Sequence, residues 1–90
     1  NQKAAELGLA RTHYSDPSGL YADNVSSAFD MARLISFASG DERIASIMRM
    51  KEYQFSSPRR TVTLHNTNHL VGTDVDVRGG KTGFISKSGY

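Results

Sequence analysis

The chain has 90 residues, 38% of them hydrophobic, and its eleven basic and nine acidic side chains leave a net charge of +2. That near-balance makes no electrostatic case for nucleic acid, and Lys51, Arg59 and Arg60 lack the interleaved aromatics of a base-stacking platform, so no nucleic-acid partner is expected. The absence of cysteine excludes disulfides and thiolate metal sites, and no apolar run approaches the roughly 20 residues of a membrane helix.

"NQKAAELGL" reads as the last turns of a helix, with Gly8 placed for a left-handed ending. A loop dense in Asp, Pro, Ser and Gly follows, in which Asp16-Pro17-Ser18-Gly19 fits a type I turn. Ser27 with Asp30 three residues on is a capping-box-like helix start. Ala28, Met31, Ala32, Ile35 and Ala38 then recur at helical spacing and predict one apolar face. Gly40 ends that helix, and Asp41 can cap a shorter one with Ile44, Ile47 and Met48 turned inward. From Lys51 the period changes to two. "EYQFSS" and "RTVTLH" predict two strands of a hairpin or ribbon interrupted at Pro58. Gly72-Thr73-Asp74 predicts a turn, "VDVRGGKTGFIS" a last strand, and Ser86-Lys87-Ser88-Gly89 a further turn.

Three motifs carry chemistry to be weighed. Gly80-Lys81-Thr82 has the ending of a phosphate loop, but the required first glycine falls on Val75 and no helix pattern follows. His65 and His69 stand four apart, yet Asn66 and Asn68 disfavour a helix there and no glutamate follows His65, so surface or hydrogen-bonding histidines are expected. Lys81-Thr82-Gly83 has a third sense as a strand beside a cleft. Lys81 would present positive charge, Thr82 a hydroxyl, and Gly83 the room for a substrate backbone to approach. Strict alternation would turn Lys81 and Gly83 to one face and Thr82 and Phe84 to the other.

The triplet does not stand alone. "NQKAAELGL", "THYSDPSGL", "NVSSAFDMARL", "HNTNHLV" and "GGKTGFISKSGY" together resemble the D-alanyl-D-alanine carboxypeptidases, the low-molecular-mass penicillin-binding serine peptidases. The likeness runs in order across nearly the whole chain. It departs from the family where it matters most: no Ser-x-x-Lys and no Ser-x-Asn occurs in the 90 residues. In the family both motifs lie before the helix with which this chain opens, and further strands follow its end.

The resemblance implies an α/β (α+β) fold, with helices packed on an antiparallel sheet, as a fragment of the β-lactamase/D,D-peptidase-like fold. Residues 1–90 would then be a partial D,D-peptidase catalytic domain without the Ser-x-x-Lys and Ser-x-Asn segments and the final strands. The intact enzyme would be a serine-type D-Ala-D-Ala carboxypeptidase acting on peptidoglycan stem peptides through an acyl-serine, in the periplasm or another extracytoplasmic space. β-Lactams would trap that serine. No cofactor or metal is implied, and membrane attachment is left open. Lys81, Thr82, Gly83 and Phe84 would bind substrate: Lys81 the carboxylate, Thr82 through a hydrogen bond, and the Phe84 backbone N–H as half of an oxyanion hole. Alternatives are a D,D-endopeptidase of the same family, a noncatalytic cell-wall peptide-binding module and, more distantly, a β-lactamase relative.

Overall fold

The computed structural model describes residues 1–89, ordered as α1 (Gln2–Glu6), α2 (Ala28–Ser39), α3 (Glu42–Met48), β1 (Glu52–Ser56) and β2 (Thr61–His65). Helices and a two-stranded antiparallel ribbon agree with the expected α+β class. α1 closes as the sequence predicts. Gly8 takes φ +69°, and the N–H groups of Gly8 and Leu9 donate back to the carbonyls of Ala5 (3.1 Å) and Ala4 (2.8 Å). The apolar pair that accompanies this ending, Ala4 and Leu9, is buried. The Asn1 side chain extends the element sideways, donating to the Tyr14 carbonyl (2.8 Å) and accepting from the Tyr14 N–H (2.7 Å).

Ser27 caps α2 by accepting from the Asp30 N–H at 3.1 Å. The predicted apolar face of this helix is corrected. Ala28, Met31 and Ala32 are exposed, Ile35 and Ala38 are half-buried, and the buried position is the acid Asp30. Its carboxylate accepts from the Arg11 N–H (2.9 Å) and the Thr12 hydroxyl (2.8 Å), so two hydrogen bonds replace water around it. In α3, Asp41 caps as expected, accepting from the Arg43 N–H at 3.0 Å. Here too the inward residues differ: Ala45 is fully buried, whereas Ile44 and Ile47 are exposed and Met48 is half-buried. Periodicity alone does not distinguish which side of a helix its neighbours approach.

β1 and β2 pair in the register Glu52↔His65, Tyr53↔Leu64, Gln54↔Thr63, Phe55↔Val62 and Ser56↔Thr61. Tyr53, Phe55, Val62 and Leu64 therefore share one face of the ribbon. Every residue of β1 is exposed, and in β2 only Val62 is half-buried.

The predicted strand at 75–86 is not formed. Residues 76–84 pair with no strand among the described residues, and only the bridge of Ile85 to Gly89 closes the turn at 86–88. A strand is completed by the N–H and C=O groups of a neighbouring strand, and the described residues place no strand beside this segment. Its path is set instead by contact with the helices. At Gly79 it runs close to the ends of both helices, where an added Cβ would lie 2.6 Å from the Met48 terminal methyl and 3.4 Å from Ser39 Cβ.

The radius of gyration is 15.1 Å, against about 12 Å for a compact domain of this length. Phe29, Leu20 and Ile47 are 71%, 69% and 66% exposed, and among the described residues no large side chain is fully buried. The chain thus carries apolar surface that its own core does not cover.

Candidate functional site

Lys81, Thr82, Gly83 and Phe84 lie together on the surface, all exposed. They form one wall of a groove of about 670 Å³ whose other wall is the 14–24 loop, with Tyr14, Asp16, Pro17, Ser18, Leu20 and Asn24. Lys81 and Thr82 also line a second groove, shared with Ile47, Met48, Asn66, Asn68 and Gly80. All four candidate residues thus border the first groove, and because no strand forms here the strict alternation expected of one is not imposed. Without a ladder partner the pleat is not enforced, and glycines on both sides of Lys81-Thr82 leave the backbone free to turn.

The Lys81 ammonium donates to the Thr82 carbonyl, and the Thr82 hydroxyl lies 2.9 Å from the hydroxyl of Thr67. A Cβ on Gly83 would meet nothing within 4 Å, so the space beside it is open groove. Thr67 belongs to a segment locked by its two asparagines. The Asn66 amide donates to the carbonyls of Met48 (3.0 Å) and Met50 (2.8 Å), and its carbonyl accepts from the Asn68 N–H (2.9 Å). Asn68 Oδ1 accepts in turn from the Leu70 N–H at 3.1 Å. Side chains that satisfy nearby backbone in this way replace secondary structure as the fixing element.

The opposite wall is built on Asp16. The expected turn at 16–19 is organised by this side chain, which accepts from the Ser18 hydroxyl, the Leu20 N–H (3.1 Å) and the Asn24 amide. Asn24 accepts from the Ser15 N–H at 2.8 Å and donates to the Tyr21 carbonyl at 2.8 Å. The Ser18 hydroxyl first, then the Asn24 amide, hold the Asp16 carboxyl well below the usual carboxylate range. Asn24 opens an Asn-Val-Ser triplet, but its amide is committed to this loop.

The histidines stand apart from both grooves' chemistry. His13 pairs through its backbone with Val25, with N···O distances of 2.9 Å in both directions. His65 faces Glu52 across the ribbon at 3.6 Å, and His69 is exposed in the following turn. Among the described residues no group of three or more His, Cys, Asp or Glu side chains is placed to hold a metal ion. A further, mostly apolar hollow at the ribbon's base is lined by Ile47, Met50, Tyr53 and Leu64 together with Glu52, His65 and Asn66.

A sequence model described as D-alanyl-D-alanine carboxypeptidase matches residues 1–90. The chain belongs to the D-alanyl-D-alanine carboxypeptidase family. Within it, the chain is 36% identical over 93 residues to a D-alanyl-D-alanine endopeptidase of Escherichia coli, covering 100% of this chain and 30% of that protein. It is 34% identical over 92 residues to a D-alanyl-D-alanine carboxypeptidase of Bacillus subtilis, covering 100% of this chain and 24% of the relative. The crystal structure of a D-alanyl-D-alanine carboxypeptidase from Mycobacterium tuberculosis superposes with a TM-score of 0.80 at 29% identity, over 96% of this chain and 34% of that one. The chain therefore spans about a third or less of the family members it matches.

Three contributors to the site escaped sequence reasoning. Thr67 is an unremarkable residue between two asparagines, and Gly79 one of an adjacent glycine pair. Asp16 was legible as a turn residue but not as the anchor of a groove wall. Thr67 and Gly79 meet partners distant in sequence, for which single-chain patterns carry no signal, and Asp16 bonds within its own loop but faces Lys81 only through the fold.

Proposed function

We propose that residues 1–90 are part of the catalytic domain of a serine-type D-Ala-D-Ala peptidase that acts on peptidoglycan stem peptides outside the cytoplasmic membrane. The observation that carries this reading is the groove in which Lys81, Thr82, Gly83 and Phe84 face the Asp16 loop. A stem peptide ends in a carboxylate, and the exposed Lys81 ammonium with the Thr82 hydroxyl offers that group a cation and a donor. Gly83 leaves room for the peptide backbone, and the Phe84 backbone N–H is the donor that the family likeness assigns to the oxyanion.

The nucleophile is not among these residues. No serine in the 90 has a lysine three positions later, the spacing that places a base beside a hydroxyl on a helix. The acyl-serine would form on a Ser-x-x-Lys segment elsewhere in a longer polypeptide, and penicillins would acylate the same serine. The E. coli and B. subtilis relatives are named for endopeptidase and carboxypeptidase activity respectively. Cleavage of a monomeric pentapeptide against a D,D-crosslinked dimer separates these two activities.

The test is Lys81→Ala in the longer polypeptide. A charge-assisted hydrogen bond contributes roughly 1.5–3 kcal/mol, or about ten- to a hundredfold. Peptide hydrolysis and penicillin acylation should both fall by at least about tenfold with the fold intact. Wild-type acylation by a folded Lys81→Ala protein would remove Lys81 from the substrate site. A polypeptide that binds stem peptides yet hydrolyses none would favour a noncatalytic binding module.

A further inference from the structure

We propose that Thr67 is a positioning residue whose hydroxyl aims the Thr82 O–H at the carboxylate of a bound peptide. The inference deepens the peptidase reading above and rests on it. The two hydroxyl oxygens are 2.9 Å apart and belong to segments 15 residues apart in sequence. A hydroxyl carries one proton and two lone pairs, so one of the pair donates to the other and the acceptor keeps its own proton for a third partner. A carboxylate only accepts. Its arrival beside Thr82 therefore selects one polarity: Thr67 donates to Thr82, and Thr82 donates to the ligand. Hydrogen bonds running in one direction polarise one another, which strengthens the last of them.

The surroundings favour this arrangement on both sides. Thr67 sits between Asn66 and Asn68, which are bonded to Met48, Met50 and each other, so its backbone is held while its hydroxyl can rotate. The Lys81 ammonium rests on the Thr82 carbonyl, placing positive charge beside the same threonine. Thr82 alone, exposed and without a second hydroxyl, would have its O–H free to turn toward water. Thr67 takes up the acceptor lone pair and leaves the proton directed outward.

The test measures kcat and KM for Thr67→Val and Thr67→Ser in the longer polypeptide. Each is assayed on a D-Ala-D-Ala peptide with a free terminal carboxylate and on the same peptide as its terminal amide. Thr67→Val should lower kcat/KM on the free carboxylate by about five- to tenfold, as expected for one weakened charge-assisted hydrogen bond. On the amide the loss should stay below about twofold, because the neutral terminus gains little from the aimed donor. Thr67→Ser, which keeps the hydroxyl, should restore most of the loss. Equal losses on both peptides would mean that Thr67 only shapes the groove, and no loss on the carboxylate would remove it from the site; either overturns the inference while hydrolysis by the wild type upholds the peptidase reading. A wild type that hydrolyses neither peptide overturns both.

Discussion

Asp16 and Asn24 hold each other side chain to side chain across the groove-wall loop, each also bonding backbone groups inside it. This pair, together with the positive φ of Gly19, shapes the wall opposite Lys81. Asp16 is kept below the usual carboxylate range by the Ser18 hydroxyl and the Asn24 amide. A carboxyl with a depressed folded value contributes stability above its unfolded value of about 3.9. That contribution is lost as pH falls through the lower folded value. The loop should therefore stay ordered at pH 4 and loosen only well below it. Proton NMR of the Asn24 side-chain amide and the Leu20 N–H during acid titration will follow this. A transition centred near the ordinary carboxylate value would show that Asp16 is not anchored.

Two substitutions in the α2 start should rank by burial. Ser27→Ala removes a cap and should cost on the order of 1 kcal/mol. Asp30→Ala removes the buried carboxylate that accepts from the Arg11 N–H and the Thr12 hydroxyl, two hydrogen bonds to a charged group worth roughly 1.5–3 kcal/mol each, although Thr12 keeps the Ser26 hydroxyl at 2.8 Å. Urea melts should place Asp30→Ala below Ser27→Ala, and the reverse order would mean that the carboxylate does not tie the 11–12 loop to the helix.

Gly83→Ala separates folding from ligand access. The added methyl meets no atom of the chain within 4 Å, and Gly83 is not among the glycines with positive φ. The melting temperature should be unchanged, whereas the methyl would project into the space proposed for the peptide backbone. Peptide hydrolysis by the longer polypeptide should fall; a variant as active as wild type would place the substrate elsewhere.

The 90-residue chain itself should form no covalent adduct with a penicillin, because none of its serines has the activating lysine. Intact-mass spectra after incubation decide this. A stoichiometric mass increase on any serine would contradict the assignment of the nucleophile to another segment.

Local chemistry was enough to determine several elements from the sequence. The Gly8 ending, the Ser27 and Asp41 caps, the ribbon from period-two alternation and the turn at 86–88 each depend on residues within a few positions of one another. The grouping of Lys81 to Phe84 as candidate contacts came from a short motif and a family likeness that spans the chain. Burial was another matter. Helical spacing nominated Met31 and Ile47 for the interior, but Asp30 and Ala45 occupy it, because the neighbour that approaches a helix decides which side is covered. The expected strand at 75–86 likewise depends on a partner's hydrogen bonds, which no property of its own residues can supply. Only the tertiary structure brings Thr67 to Thr82 and sets the Asp16 loop across from Lys81, since these are contacts between segments whose separation in sequence leaves no periodic trace.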